Sequence, residues 1–183
     1  MHADVKEILY SEEQIAARVK EMGARLTEQF RPMVEHGERI VMLCVLRGAA
    51  IFMADLARAV ELPIEMDYMA VSSYGNAAKS SGVVSIQKDL SSDIIDKHVI
   101  IAEDILDSGL TLKFLIENLE ARKAASVSVV TLLRKDVPGQ AKIDCLDIGF
   151  VCPNEFIVGY GLDYAERYRN LPYIGILKPD IYS

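Results

Sequence analysis

The sequence predicts an α/β protein with a mostly parallel sheet flanked by helices. Short apolar runs bounded by turn residues alternate with stretches whose apolar residues recur at helical spacing. One of these runs, Ile40 to Leu46 (IVMLCVL), is apolar without interruption, as expected of a strand covered on both faces. A chain of 183 residues, 51% apolar and 26% charged, is long enough to close one core without a disulfide or metal staple.

Taken in order, Ser11 followed by Gln14 forms a capping-box pattern. Ile15, Val19, Met22, Leu26 and Phe30 then fall on one helical face. Pro32 is expected to kink or restart this helix and Gly37 to stop it. Arg47-Gly48 ends the Ile40 to Leu46 strand, and a buried helix follows from Ala49 to Val60, closed by Leu62-Pro63. Ile64 to Val71 is strand-like. Ser72 to Gly82 (SSYGNAAKSSG) is small and polar, near the length at which a loop is expected to carry a function. Val83 to Gln87 and His98 to Ala102 return to strand character. Leu110 to Leu119 is helical, with Leu112, Leu115, Ile116 and Leu119 on one face, and Val127 to Leu133 is a strand. The C-terminal stretch mixes Pro, Tyr and short apolar runs, suited to a small subregion over one edge of the sheet.

Lys and Arg total 20 against 27 Asp and Glu, a net charge of −7. Such a chain has no global field to attract nucleic acid or an anionic membrane, so an anionic ligand must be held by helix N-termini, a few placed cations or a metal ion. The N-terminal MHADVKEILYSEEQ lacks the apolar stretch of a signal peptide, and no apolar run approaches the ~20 residues of a membrane helix. A cytoplasmic location with no membrane and no nucleic-acid partner is the expectation. Cys44, Cys145 and Cys152 lack metal spacing, and Cys44 reads as a buried thiol. His2, His36 and His98 are scattered, which argues against zinc.

In open parallel sheets, ligands bind beyond the carboxyl ends of the strands. Two strand ends here carry unusual residues, Leu46-Arg47-Gly48 and HVIIAEDILDSGLTL from His98 to Leu112. Ser108, Gly109 and Thr111 at a strand-to-helix turn supply backbone N–H groups, two hydroxyls and the positive end of a helix dipole, which together cradle a phosphate. Glu103 and Asp104 are poor direct phosphate binders but good acceptors for sugar hydroxyls, and they suit Mg2+, which favours oxygen ligands and bridges to substrate phosphates. A Ser-Gly helix start after acids is also a common capping arrangement. Three carboxylates at 103, 104 and 107 followed by Ser-Gly-x-Thr are harder to explain that way. Sugar, metal and phosphate groups in one short segment imply a ribose-phosphate ligand.

IIAEDILDSGLTL resembles the ribose-phosphate-binding motif of type I phosphoribosyltransferases, which join a nitrogenous base to 5-phosphoribosyl-1-diphosphate (PRPP) and release pyrophosphate. VLRGA (Val45 to Ala49) resembles their pyrophosphate loop, SSYG (Ser72 to Gly75) the mobile lid, and LLRK (Leu132 to Lys135) the purine-contacting strand end. EFIVGYGLDYAERYRNLPYIG (Glu155 to Gly175) is similar to the purine-recognition hood of the hypoxanthine(-guanine) phosphoribosyltransferases. The resemblance implies a single phosphoribosyltransferase domain over residues 1–183. Its core would span roughly residues 38–138, and its hood residues 139–183 plus the N-terminus.

By that resemblance, Glu103 and Asp104 would face the ribose hydroxyls and the Mg2+ bound to PRPP. Asp107 would take or share the purine N7 proton. Ser108, Gly109, Leu110 and Thr111 would hold the 5′-phosphate, and Arg47, Gly48 and Arg169 would engage pyrophosphate. Lys135 would donate to the 6-oxo group, Phe156 would stack on the ring, and the Ile157 main chain would contact its far edge. Asp163 would meet a second Mg2+ and the base-binding loop, while Ser73 and Tyr74 would belong to the lid. Many relatives carry Lys where this chain has Arg47 and Leu110. Arg47 keeps the cation in a planar fork, and Leu110 keeps its backbone N–H.

The implied activity is purine salvage. The 5-phosphoribosyl group of PRPP would pass to N9 of hypoxanthine or guanine, giving IMP or GMP and pyrophosphate in an Mg2+-dependent homodimer or homotetramer. Substitution at an anomeric carbon develops positive charge on the ribose and negative charge on the leaving oxygens, and needs no side-chain nucleophile. Lys135 favours a 6-oxo base over adenine, whereas hypoxanthine, guanine and xanthine differ only at position 2 and stay unranked. A regulatory protein sensing PRPP while binding RNA or DNA is the rival, and it calls for a basic face that a net charge of −7 disfavours.

Overall fold

The computed structural model describes residues 1–73 and 84–182. In chain order the elements are β1 (Val5–Tyr10), α1 (Glu12–Glu35), β2 (Ile40–Leu46), α2 (Ala50–Ala59), β3 (Glu65–Ser73), β4 (Val84–Lys88), β5 (His98–Leu106), α3 (Leu110–Ala121), β6 (Ser126–Lys135), β7 (Cys145–Cys152), β8 (Ile157–Val158), β9 (Ile174–Leu177) and α4 (Pro179–Tyr182). Among them β4, β3, β2, β5, β6 and β7 form one sheet in that order. All its neighbouring pairs are parallel except β3 with β4. A second, antiparallel sheet has the order β1-β9-β8.

The unbroken apolar run of β2 serves both faces of the large sheet. Ile40, Met42 and Cys44 pack with Ile15, Met22 and Leu26 of α1 and with Phe52, Met53 and Leu56 of α2. Val41, Leu43 and Val45 pack on the other side with Leu112, Leu115 and Leu119 of α3. Each such side chain, fully buried, contributes about 1.5–3 kcal/mol, so both layers are held on the sheet largely by these contacts.

The α1 capping box forms as the sequence suggests. Gln14 N–H donates to Ser11 Oγ at 3.3 Å, and Ser11 N–H donates to Gln14 Oε1 at 2.8 Å. Pro32 neither breaks nor restarts the helix, which runs through it to Glu35. Pro32 lies in the last turn on an exposed side, where a lost main-chain donor is tolerated. Gly37 follows with φ +85°.

The large sheet also extends past the boundary expected near residue 138, because β7 pairs with β6 from Val129↔Cys145 to Lys135↔Cys152. The small sheet unites the residues after β7 with the N-terminal β1. It is fastened to the large layer by Tyr10, stacked on Phe150 with ring centroids 4.1 Å apart and donating from its hydroxyl to Val151 O. Tyr160 adds a 2.6 Å hydrogen bond to Asp55 on α2. Among the described residues no helix is long and apolar enough to cross a membrane.

Candidate functional site

The site gathers at the carboxyl ends of β2, β5 and β6. The strand expected to stop at Ala102 continues to Leu106, because Glu103, Ile105 and Leu106 find register partners in Thr131, Leu133 and Arg134 of β6. Glu103 and Asp104 therefore belong to the sheet itself and are held by its ladder. Burial pushes the Glu103 carboxyl well above the usual carboxylate range, and the neighbouring Asp104 charge adds to this. Asp104 is raised too, by burial first, while main-chain N–H groups and Arg169 pull it back and Asp163 pushes it up. The Glu103 Oε2 atom is buried and finds no hydrogen-bond partner among the described residues. Two crowded carboxylates, one with an orphaned oxygen, form a donor set that suits a hard cation.

β2 delivers the next group. Its chain leaves through a cis Leu46–Arg47 peptide, and Gly48 lies so close to Asp104 that a Cβ there would overlap the carboxylate. Arg47 Nη1 donates to Glu166 Oε2 at 2.8 Å. The same oxygen lies 3.4 Å from Arg169 Nη2, which also pairs with Asp163 Oδ1 at 2.8 Å, and Arg169 Nη1 donates to Gly161 O. Asp163 Oδ2 accepts the Glu166 N–H at 2.9 Å. The expected pyrophosphate arginines thus meet through Glu166, a residue the sequence reading passed over. Its only signal was an acid three positions from both Asp163 and Arg169.

Beyond β5 lies the loop Asp107-Ser108-Gly109. Gly109 is the N-cap of α3 with φ +77°, and a Cβ there would also crowd Ala141, Ile143 and Leu106. A glycine N-cap has no side chain to offer the helix, and Ser108 Oγ comes only to 3.5 Å from the Leu110 N–H. The first-turn N–H groups have no carbonyl within the helix and point out of its end. Local capping by the acids is therefore not what this turn does. Leu110 keeps its side chain half exposed, so its contribution to the turn is backbone.

Lys135, last residue of β6, brings Nζ to 3.6 Å from Asp107 Oδ2. The Lys135 side chain is largely buried while Asp107 is exposed, so an acceptor and a donor stand side by side at the mouth of the site. Gln140, which no local pattern marks out, ties the two strand ends together. Its Nε2 donates to Leu106 O at 3.2 Å, to Asp107 O and to Lys135 O at 3.0 Å.

Ile157 opens β8 of the small sheet, and Phe156 just before it accepts the Leu177 N–H on its carbonyl. Phe156 stacks on Tyr182 at 5.0 Å and meets Tyr164 edge-on, so Tyr182 already covers one of its faces. Ile157 is buried on the edge strand β8 and pairs with Ile176. Ser73 ends β3, whereas Tyr74 and the remainder of the expected lid, residues 74–82, lie outside the described residues. Cys44 is a free, buried thiol pushed up to about 12 by burial and by the Glu103 and Asp104 charges.

The model of the phosphoribosyl transferase domain matches residues 6–165. The hypoxanthine-guanine phosphoribosyltransferase of Bacillus subtilis is 50% identical over 183 residues, covering 100% of this chain and 99% of its own. The bifunctional protein TilS/HprT of Listeria monocytogenes is also 50% identical over 183 residues, and there the chain spans 28% of the relative's length. Among solved structures, a hypoxanthine phosphoribosyltransferase from Staphylococcus aureus superposes with TM-score 0.93 at 48% identity, covering 100% of this chain and 97% of that one. The Trypanosoma cruzi enzyme complexed with the product IMP superposes with TM-score 0.91 at 35% identity, covering 100% and 95%. The uncapped turn and the acidic strand end are thus set in a matching frame, and the chain belongs to the phosphoribosyl transferase domain family, in its hypoxanthine-guanine phosphoribosyltransferase branch.

Proposed function

We propose that the chain is a purine salvage glycosyltransferase, moving the 5-phosphoribosyl group of PRPP to N9 of hypoxanthine or guanine and yielding IMP or GMP with pyrophosphate. The observation that carries this reading is the Asp107–Lys135 pair, 3.6 Å apart beside an uncapped helix start. A 6-oxopurine carries its O6 and N7 on one edge. O6 is an acceptor for the Lys135 ammonium, and a proton on N7 is a donor for the Asp107 carboxylate. Adenine, with an amino group at position 6, offers Lys135 no acceptor there.

As N9 attacks C1′, the bond from C1′ to the diphosphate oxygen breaks with its electron pair on the leaving oxygen. The N7 proton passes to Asp107. The first-turn N–H groups of α3 and the Ser108 and Thr111 hydroxyls hold the 5′-phosphate and fix the ribose in place. Arg47 and Arg169 meet the negative charge growing on the diphosphate, and the Glu103 and Asp104 carboxylates face the ribose, whose ring becomes positive.

Among the described residues no three His, Cys, Asp or Glu side chains are gathered into a metal cage. The crowded pair with its orphaned Glu103 oxygen nevertheless fits Mg2+, which is commonly held by one or two carboxylates together with substrate phosphates. Glu103 and Asp104 would hold one ion and Asp163 would adjoin a second. Bound Mg2+ supplies neutralisation of the diphosphate charge. A cytoplasmic homodimer or homotetramer belongs to the same reading.

Initial rates with PRPP and each of hypoxanthine, guanine, xanthine, adenine and uracil test it. Turnover is expected with hypoxanthine or guanine and weak or absent with adenine and uracil. Preference for adenine or uracil would overturn the reading.

A further inference from the structure

Asp107 and Lys135 sit on neighbouring strands, and the register between those strands gives out before it reaches them. β5 and β6 are paired up to Leu106↔Arg134, and the two functional residues come one step later on each chain. At that step Gln140 supplies the connection. Its Nε2 meets the main-chain oxygens of Leu106, Asp107 and Lys135. An amide nitrogen has two hydrogens, so three acceptors imply that one bond is shared.

The segment around Gln140 is fixed beneath the turn. Ala141 N–H donates to Ser108 O at 2.8 Å, and the side chains of Ala141 and Ile143 lie against Gly109. The half-buried Gln140 side chain therefore leaves an anchored backbone and continues the sheet's cross-linking after the ladder ends.

We infer that Gln140 is a positioning residue for purine recognition: it sets the separation of Asp107 and Lys135, and thereby the match to O6 and N7 of a 6-oxopurine. The inference rests on Asp107 and Lys135 being the groups that handle the base. Gln140 touches neither the base nor the phosphate; it acts through the backbone of residues that do. The 5′-phosphate cradle keeps its own support in the Ala141–Ser108 bond, which is main chain to main chain and survives any substitution at Gln140. Losing the Gln140 donor consequently affects the base subsite and largely spares the phosphate subsite.

The test is calorimetric binding of IMP and AMP to the full chain, with steady-state kcat and KM for hypoxanthine and PRPP alongside. IMP and AMP share the ribose 5′-phosphate and differ at purine position 6, so a general loosening of the fold weakens both equally and leaves their ratio alone. Gln140→Met keeps length and volume but removes the donor, and Gln140→Ala serves as the second variant. In both, the preference for IMP over AMP is expected to fall by about fivefold or more and kcat by about tenfold, while the PRPP KM stays within about twofold of the parent enzyme, as for a small misplacement of reacting groups. An unchanged IMP-to-AMP ratio in a folded Gln140→Met protein would overturn the inference, as would equal losses for the two nucleotides. Lys135→Ala, measured in parallel, separates the two levels of the argument. If it leaves the ratio intact, the base reading fails and the role of Gln140 with it. If it collapses the ratio and Gln140→Met does not, only Gln140 is rejected.

Discussion

Asp107 and Lys135 stand 3.6 Å apart but are asked to do different things, and substitution separates those roles. Asp107→Asn keeps shape and hydrogen-bonding capacity while removing the carboxylate proposed as the base. Its kcat should fall by about 10²–10³, with PRPP binding changed much less. Lys135→Ala removes the charge-assisted hydrogen bond proposed to reach O6, so it should cut the discrimination between hypoxanthine and adenine by about 1.5–3 kcal/mol in kcat/KM. Steady-state rates with both bases decide. A near-normal kcat in Asp107→Asn leaves that carboxylate only a positioning role, and an unaltered base preference in Lys135→Ala rejects it as the 6-oxo reader. Both residues stood out in the sequence because each follows an apolar run and keeps the order of a known motif, and the structure brings them to 3.6 Å of each other. Glu166 and Gln140 were not, because their importance lies in contacts with residues 119 and 33 positions away, which no local pattern encodes.

At the scale of elements, the strands and helices were readable wherever one periodicity dominated. The run IVMLCVL became β2, and the leucine stripe of Leu110 to Leu119 became α3. The length of β5 was not readable. Carboxylates at 103 and 104 look like the end of a strand, and only pairing with β6 carries the strand to Leu106. Asp67 on β3 is another charged residue absorbed into the sheet. Its Oδ2 accepts the Ser91 N–H at 2.7 Å and the Ser92 N–H at 3.3 Å, and its Oδ1 accepts the Tyr68 N–H at 2.8 Å, pinning the turn after β4 to the sheet. Burial opposes the charge, but these hydrogen bonds outweigh it and hold the carboxyl below its ordinary 3.8. A group depressed in the folded state contributes stability above its unfolded pKa, and that contribution is lost as pH falls through the lower folded value. Asp67→Asn should therefore cost about 1.5–3 kcal/mol at pH 7, and the gap to the parent protein should shrink below about pH 4. Urea unfolding of both proteins at pH 7 and at pH 3 measures this; a gap independent of pH would rule out the carboxylate as its source.

For the molecule as a whole, the question is how a chain of net charge −7 would accept a ligand as anionic as the proposed PRPP. The two described cations proposed to meet the diphosphate already have carboxylate partners. Arg47 is paired with Glu166, and Arg169 with Asp163 and Glu166, so carboxylates already offset both guanidinium charges. The acidic side chain of Asp104 lies directly against Gly48. The helix dipole at Gly109 contributes only about half an elementary charge. On the proposed reading, the cations among the described residues are partly neutralised, and a divalent ion arriving with the diphosphate would make up the difference. Turnover is expected to vanish after exhaustive EDTA treatment and to return on adding Mg2+. Glu166→Gln refines the point by removing one of the competing carboxylates. At limiting Mg2+ it should lower the PRPP KM by up to about fivefold, the scale of an exposed ion pair, and the difference should narrow as salt screens the charges. Full activity in EDTA would show that the arginines suffice on their own. A higher PRPP KM in Glu166→Gln would show that Glu166 orients the arginines for the diphosphate instead of competing with it.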